Sequence, residues 1–86
     1  MVAEAATYIE IAGSDIVVKP GRYFKVGETR VGTAYLTARH DAALTYTNRR
    51  GETSPVTDAQ FVRHYRNGMN QRLCGPDQNP PHFPAP

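Results

Sequence analysis

Cys74 is the single cysteine of the 86-residue chain. No intramolecular disulfide can staple the fold, and a reducing compartment suits such a chain. Long apolar runs are missing as well: none approaches the roughly 20 residues that a membrane-spanning helix needs. The opening Met-Val-Ala-Glu-Ala-Ala is acidic and lacks the basic start and apolar stretch of a secretory leader. A cytoplasmic protein without membrane contact is expected. Chemical signatures are equally scarce. His40, His64, Cys74 and His82 show none of the paired spacing that zinc ligands use. The seven glycines are dispersed at turns rather than gathered into a phosphate-cradling loop. His40 and Asp41 are adjacent, so along extended chain they point to opposite faces and do not form a base with its orienter. No enzymatic activity, metal or cofactor is expected.

What is present fits one small domain. A chain of this size buries roughly 60–65% of the surface its unfolded form exposes. The core is therefore small, and a homodimer is one expected way to enlarge it. The charge is unevenly placed. Residues 1–20 carry a net of −2, with Glu4, Glu10 and Asp15 against Lys19. Residues 21–76 carry a net of +5, eight arginines and Lys25 against four carboxylates. Arginine holds planar anions through a fixed fork of donors, which lysine lacks.

Patterning predicts short strands followed by one helix. Thr7–Ala12 alternates, with Ile9 and Ile11 on one face and Tyr8 and Glu10 on the other. After Gly13-Ser14-Asp15, the stretch Asp15–Lys19 is expected to pair back as a hairpin. Pro20-Gly21 supplies a type II turn. A strand over Arg22–Val26 is expected to end at a Gly27-Glu28 turn. Arg30–Arg39 is the longest strand, with Val31, Thr33, Tyr35 and Thr37 on one face and Gly32, Ala34, Leu36 and Ala38 on the other. His40-Asp41 turns the chain into Ala43–Thr47, where Leu44 and Tyr46 oppose Thr45 and Thr47. Asn48–Gly51 is a tight loop, and Thr53–Val56 a last strand that Pro55 confines to an edge. Thr57 and Gln60 form a capping box, and Val56 and Phe61 a hydrophobic staple. The helix is expected over Asp58–Asn67, burying Phe61, Val62, Tyr65 and Met69 and ending at Gly68. Residues 75–86 hold five of the seven prolines and read as a Pro-rich polyproline II tail. The fold class is mostly β (α+β): residues 1–74 form a small antiparallel SH3-like barrel or curled sheet with one C-terminal helix.

The segment from Lys19-Pro20-Gly21-Arg22-Tyr23 through Ala38-Arg39-His40 and Leu44-Thr45-Tyr46 to Phe61 is similar to a small bacterial family of uncharacterised one-domain proteins. That family has a PGxY opening, a central ARH-like step, a Val-Val-Tyr strand and a closing Met-Phe. The resemblance covers about residues 19–65. It departs at Tyr23-Phe24-Lys25, where the family tends to carry a basic-His pair. It implies an SH3-like barrel and no function.

The constellation that carries a functional expectation is basic and aromatic. Arg39, Arg49 and Arg50 are expected at neighbouring ends of one hairpin, Tyr35 and Tyr46 lie on its strands, and Arg63 and Arg66, three apart on the helix, are expected to extend the same patch. Cationic loops with stacking aromatics are how small β domains hold nucleic acid. A binding module for nucleic acid, or for a complex that handles it, is expected. The alternative is a small phage or mobile-element interaction protein that blocks a host protein by surface complementarity.

Overall fold

The computed structural model describes residues 8–74. Thr7 and the expected tail over 75–86 lie outside the described residues. β1 (Ile9–Glu10) and β2 (Val17–Val18) form the first hairpin, with Ile9 opposite Val18 and Glu10 opposite Val17. Its turn is held by Ser14, whose Oγ donates to the Ile11 carbonyl at 2.8 Å and accepts from the Ile16 N–H at 3.1 Å. The alternation read from sequence over Thr7–Ala12 is observed from Tyr8 onward: Ile11 is buried and Ile9 half-buried, while Tyr8 and Glu10 are exposed. On the returning strand Ile16 and Val18 are buried and Val17 is exposed.

β3 (Tyr23–Thr29), β4 (Gly32–Ala38), β5 (Leu44–Thr47) and β6 (Thr53–Pro55) form an antiparallel meander in sequence order. The Lys19–Arg22 turn enters it, with Gly21 at φ 85°. The expected reversal at Gly27-Glu28 does not occur. β3 runs on to Thr29, and a register shift between Lys25 and Gly27 absorbs the irregularity as a bulge. The chain turns instead at Arg30-Val31, where the Val31 N–H donates to Thr29 Oγ1 at 3.2 Å. Val31, expected on the strand, therefore sits in the turn and is 81% exposed. Asn48 organises the β5–β6 loop, its Oδ1 accepting from the N–H groups of Arg50 and Glu52, both at 2.9 Å. Pro55 lies on the edge strand β6, as a residue without an N–H must. Among the described residues the two sheets stay separate and β3 and β6 are free edges, so no closed barrel forms.

α1 (Asp58–Asn70) begins where its cap dictates. Thr57 Oγ1 accepts from the Gln60 N–H at 3.1 Å, and Gln60 Oε1 accepts from the Thr57 N–H at 2.8 Å. Val56 packs on the core beside the first turn, as a staple requires. The Asp58 carboxylate reaches back to the Ala12 N–H at 3.0 Å and ties the first hairpin to the helix start.

The far end differs from expectation. The helix passes through Gly68 to Asn70, and the left-handed residue after it is Arg72, at φ 62°. The Leu73 N–H donates to the Gly68 carbonyl at 2.8 Å and the Arg72 N–H to that of Met69 at 2.9 Å, a Schellman closure built without glycine. The buried stripe is Phe61, Tyr65 and Gly68, whereas Met69 is 39% exposed. Gly68 lets the helix rest directly on β3: a methyl there would lie 2.9 Å from the Lys25 carbonyl oxygen and 3.1 Å from Val26 Cα. The core lies between helix and sheet, with Phe24, Val26, Ala34, Leu36, Ala38 and Leu44 meeting Phe61 and Tyr65, and the first hairpin closes one side. No helix among the described residues is long and apolar enough to cross a membrane.

Candidate functional site

Directly opposed residues on antiparallel strands share a face. The registers Tyr23↔Thr37, Lys25↔Tyr35, Tyr35↔Thr47 and Thr37↔Thr45 therefore put all these side chains on the side of the sheet away from the helix. Tyr23 and Tyr35 meet edge to face across β3 and β4, their centroids 6.2 Å apart at 88°. Thr45 Oγ1 donates to the Thr37 carbonyl at 3.4 Å, and the Thr47 and Thr53 hydroxyls are bonded at 2.8 Å. Tyr23 was not singled out from sequence. Its alternation with Phe24 placed it on the outer face, but only the β3–β4 register puts it beside Tyr35.

Tyr46 belongs to the other side. It opposes Leu36, and its ring stacks on His64 of α1 at 4.3 Å and 16°. Tyr35 and Tyr46 therefore do not share a surface. Burial against this contact, with Arg63 beside it, lowers the His64 pKa from its ordinary value of 6.5.

The arginines also separate. Arg39 stands at the β4–β5 turn, and Arg49 and Arg50 lie in the loop at the opposite end of β5, roughly 15 Å away by strand rise. Arg49 and Arg50 line a depression of about 320 Å³ with Val31 and Asn48. Gly32 packs against the Arg49 carbonyl, which fixes that loop on β4. Arg63 and Arg66 are exposed on the helix. Arg66 lines a cleft of about 570 Å³ between α1 and the first hairpin, with Ile16, Val17, Tyr65 and Met69. The five guanidinium groups thus occupy three regions: two ends of the sheet and the helix.

One cluster forms that sequence reading did not assemble. Gly21, Tyr23, Thr37, Arg39, His40 and Asp41 line a cleft of about 360 Å³ at the turn end of the sheet's outer face. The Gly21 N–H donates to the Ala38 carbonyl at 2.8 Å and joins the two turns. His40 lies over Gly21 so closely that a Cβ there would come within 2.8 Å of Nε2. Arg39 pairs with Asp41 at 3.3 Å across exposed side chains, a contact of little stability. Asp41 is itself anchored through Oδ1, which accepts from the Ala43 N–H at 3.1 Å. Thr37 is only 7% exposed, and its hydroxyl has no hydrogen-bond partner among the described residues. Leaving a buried hydroxyl unpaired costs about 1–3 kcal/mol.

Cys74 offers no nucleophile. It is buried, its Sγ lies 3.7 Å from the Tyr65 carbonyl, and burial pushes its thiol up to about 11. Among the described residues no cluster of histidine, cysteine and carboxylate side chains has the makings of a metal site. Compared with family models, with curated proteins and with solved structures, the chain finds no match.

Proposed function

We propose that this chain is a non-enzymatic binding module that holds single-stranded nucleic acid on the outer face of its four-stranded sheet. The observation that carries the reading is the Tyr23–Tyr35 pair, set between Arg39 at one end of the sheet and Arg49 and Arg50 at the other. Aromatic rings on a sheet offer platforms to bases of any sequence, and flanking cations take the backbone phosphates. The five arginines singled out from sequence do not act together in this reading, because Arg63 and Arg66 lie on the helix. Arg63, Arg66 and Tyr46 drop out of the interface. Tyr23 enters it.

Fluorescence anisotropy with oligothymidylate and mixed-sequence DNA and RNA tests the proposal. Binding is expected at low salt and weakens steeply as salt rises. Tyr35→Ala is expected to weaken it about 5- to 150-fold, the loss of one stacked base. Absence of binding to single- or double-stranded DNA or RNA at low salt would end this reading.

A second reading has its own observation. Val17, 51% exposed, and Met69, 39% exposed, line the cleft between hairpin and helix. Exposed apolar side chains around a groove suit a protein partner. A small interaction protein that covers a host protein's surface would be recovered from lysate with one stoichiometric partner after nuclease treatment. Recovery of nucleic acid alone would count against it.

A further inference from the structure

Two segments that lie far apart in sequence, Pro20-Gly21-Arg22-Tyr23 and Ala38-Arg39-His40, meet at the cleft of about 360 Å³. The side chains gathered there differ in kind but agree in polarity. Arg39 brings a fork of guanidinium donors, with Asp41 beside it at 3.3 Å. His40 brings an imidazole seated over Gly21. Thr37 brings a buried hydroxyl without a partner among the described residues. Among the described residues, the one carboxylate lining the cleft is Asp41, and it is engaged by Arg39 and by the Ala43 N–H. A carboxylate ligand would be satisfied by the fork of Arg39 alone. Three donor groups on separate residues suit an anion whose oxygens point in several directions.

We propose that this cleft binds a phosphate monoester, with Arg39 as its fork and His40 and Thr37 as the remaining donors. The inference rests on the reading above for one source of the ligand: the terminal phosphate of a strand lying across Tyr23 and Tyr35. The other source of the same chemistry is free phosphate. The cleft stands at the lower end of ligand-site volumes and admits a phosphoryl group with part of its ester.

Two arms separate the sources. In the first, inorganic phosphate is titrated into ¹⁵N-labelled protein. Saturable shifts are expected in the amides of Gly21 and of Arg39 to Asp41, and are expected to vanish in Arg39→Ala. In the second, oligothymidylates with a 5′-phosphate, a 3′-phosphate or neither are compared by anisotropy. One phosphorylated form is expected to bind about 10-fold more tightly, the equivalent of one charge-assisted set of hydrogen bonds. Thr37→Val is expected to erase most of that advantage. It keeps side-chain volume and removes a buried polar atom, so its melting temperature should hold or rise and fold loss does not confound the test.

Still amides in the first arm together with equal affinities in the second would overturn the phosphate site. If the strands still bind, only the cleft assignment fails. Shifts with phosphate but no binding of any strand would retain the cleft as a free-phosphate site and dismiss the nucleic-acid face.

Discussion

Gly68 shows how a residue that weakens a helix in isolation can be required by the molecule. Alanine is favoured over glycine by about 1 kcal/mol in a helix interior. Here the added methyl would lie 2.7 Å from Cys74 Sγ, 2.9 Å from the Lys25 carbonyl oxygen and 3.1 Å from Val26 Cα. Two of those three atoms are backbone and cannot turn aside. Overpacking of this kind costs about 1–3 kcal/mol, and lifting the helix off β3 would also loosen Phe61 and Tyr65. Gly68→Ala is therefore expected to lower the unfolding free energy by about 1–2 kcal/mol in urea titration. A stabilised variant would mean that the helix axis moves freely over the sheet.

At the scale of elements, the helix is joined to the first hairpin and to the four-stranded sheet at several points along its length. Its start is fixed by the Thr57 cap and by the Asp58 bond to Ala12. Its middle is held by Phe61 and Tyr65, with the Tyr65 ring 5.4 Å from that of Phe24. Its outer edge carries the His64–Tyr46 stack. Burial and Arg63 hold the His64 pKa below its ordinary 6.5. A depressed histidine contributes stability that is complete above its unfolded value and is lost as pH falls through the folded one. The melting temperature is thus expected to drop between pH 7.5 and pH 5. His64→Phe, which keeps a ring over Tyr46 without a titrating nitrogen, should drop less. Equal drops in the two proteins would remove His64 from the pH response.

For the whole molecule, the buried thiol reports on global opening. Cys74 lies between helix and β3, where burial raises its pKa from 9.0 to about 11. A disulfide reagent at pH 8 is expected to leave it unlabelled over minutes in the folded protein and to label it completely in guanidinium chloride. Rapid labelling of the native state would place Cys74 in a region that opens locally. The raised value carries a second consequence. A thiol held protonated by the fold contributes stability present below pH 9.0 and lost as pH climbs toward about 11. Tyr65, raised by burial and by Cys74, acts in the same direction.

The sequence by itself determined the features whose physics acts within a few residues. The capping box at Thr57 fixed where the helix starts, Pro20-Gly21 and Asn48–Gly51 fixed their turns, and period-two alternation fixed that Phe24 and Val26 on β3 and Ala34, Leu36 and Ala38 on β4 face the core. Only the tertiary structure decided the rest. The helix outran Gly68 because contact with the β3 backbone, a long-range requirement, is what that glycine serves. Tyr46 and Tyr35 parted because register, not membership of one hairpin, sets which strand faces coincide. The arginines failed to converge for the same reason: nearness along a chain says nothing of which end of a sheet a loop occupies. The Thr37–Arg39–His40 cleft exists because a hydrogen bond from Gly21 to Ala38 closes a gap of 17 positions.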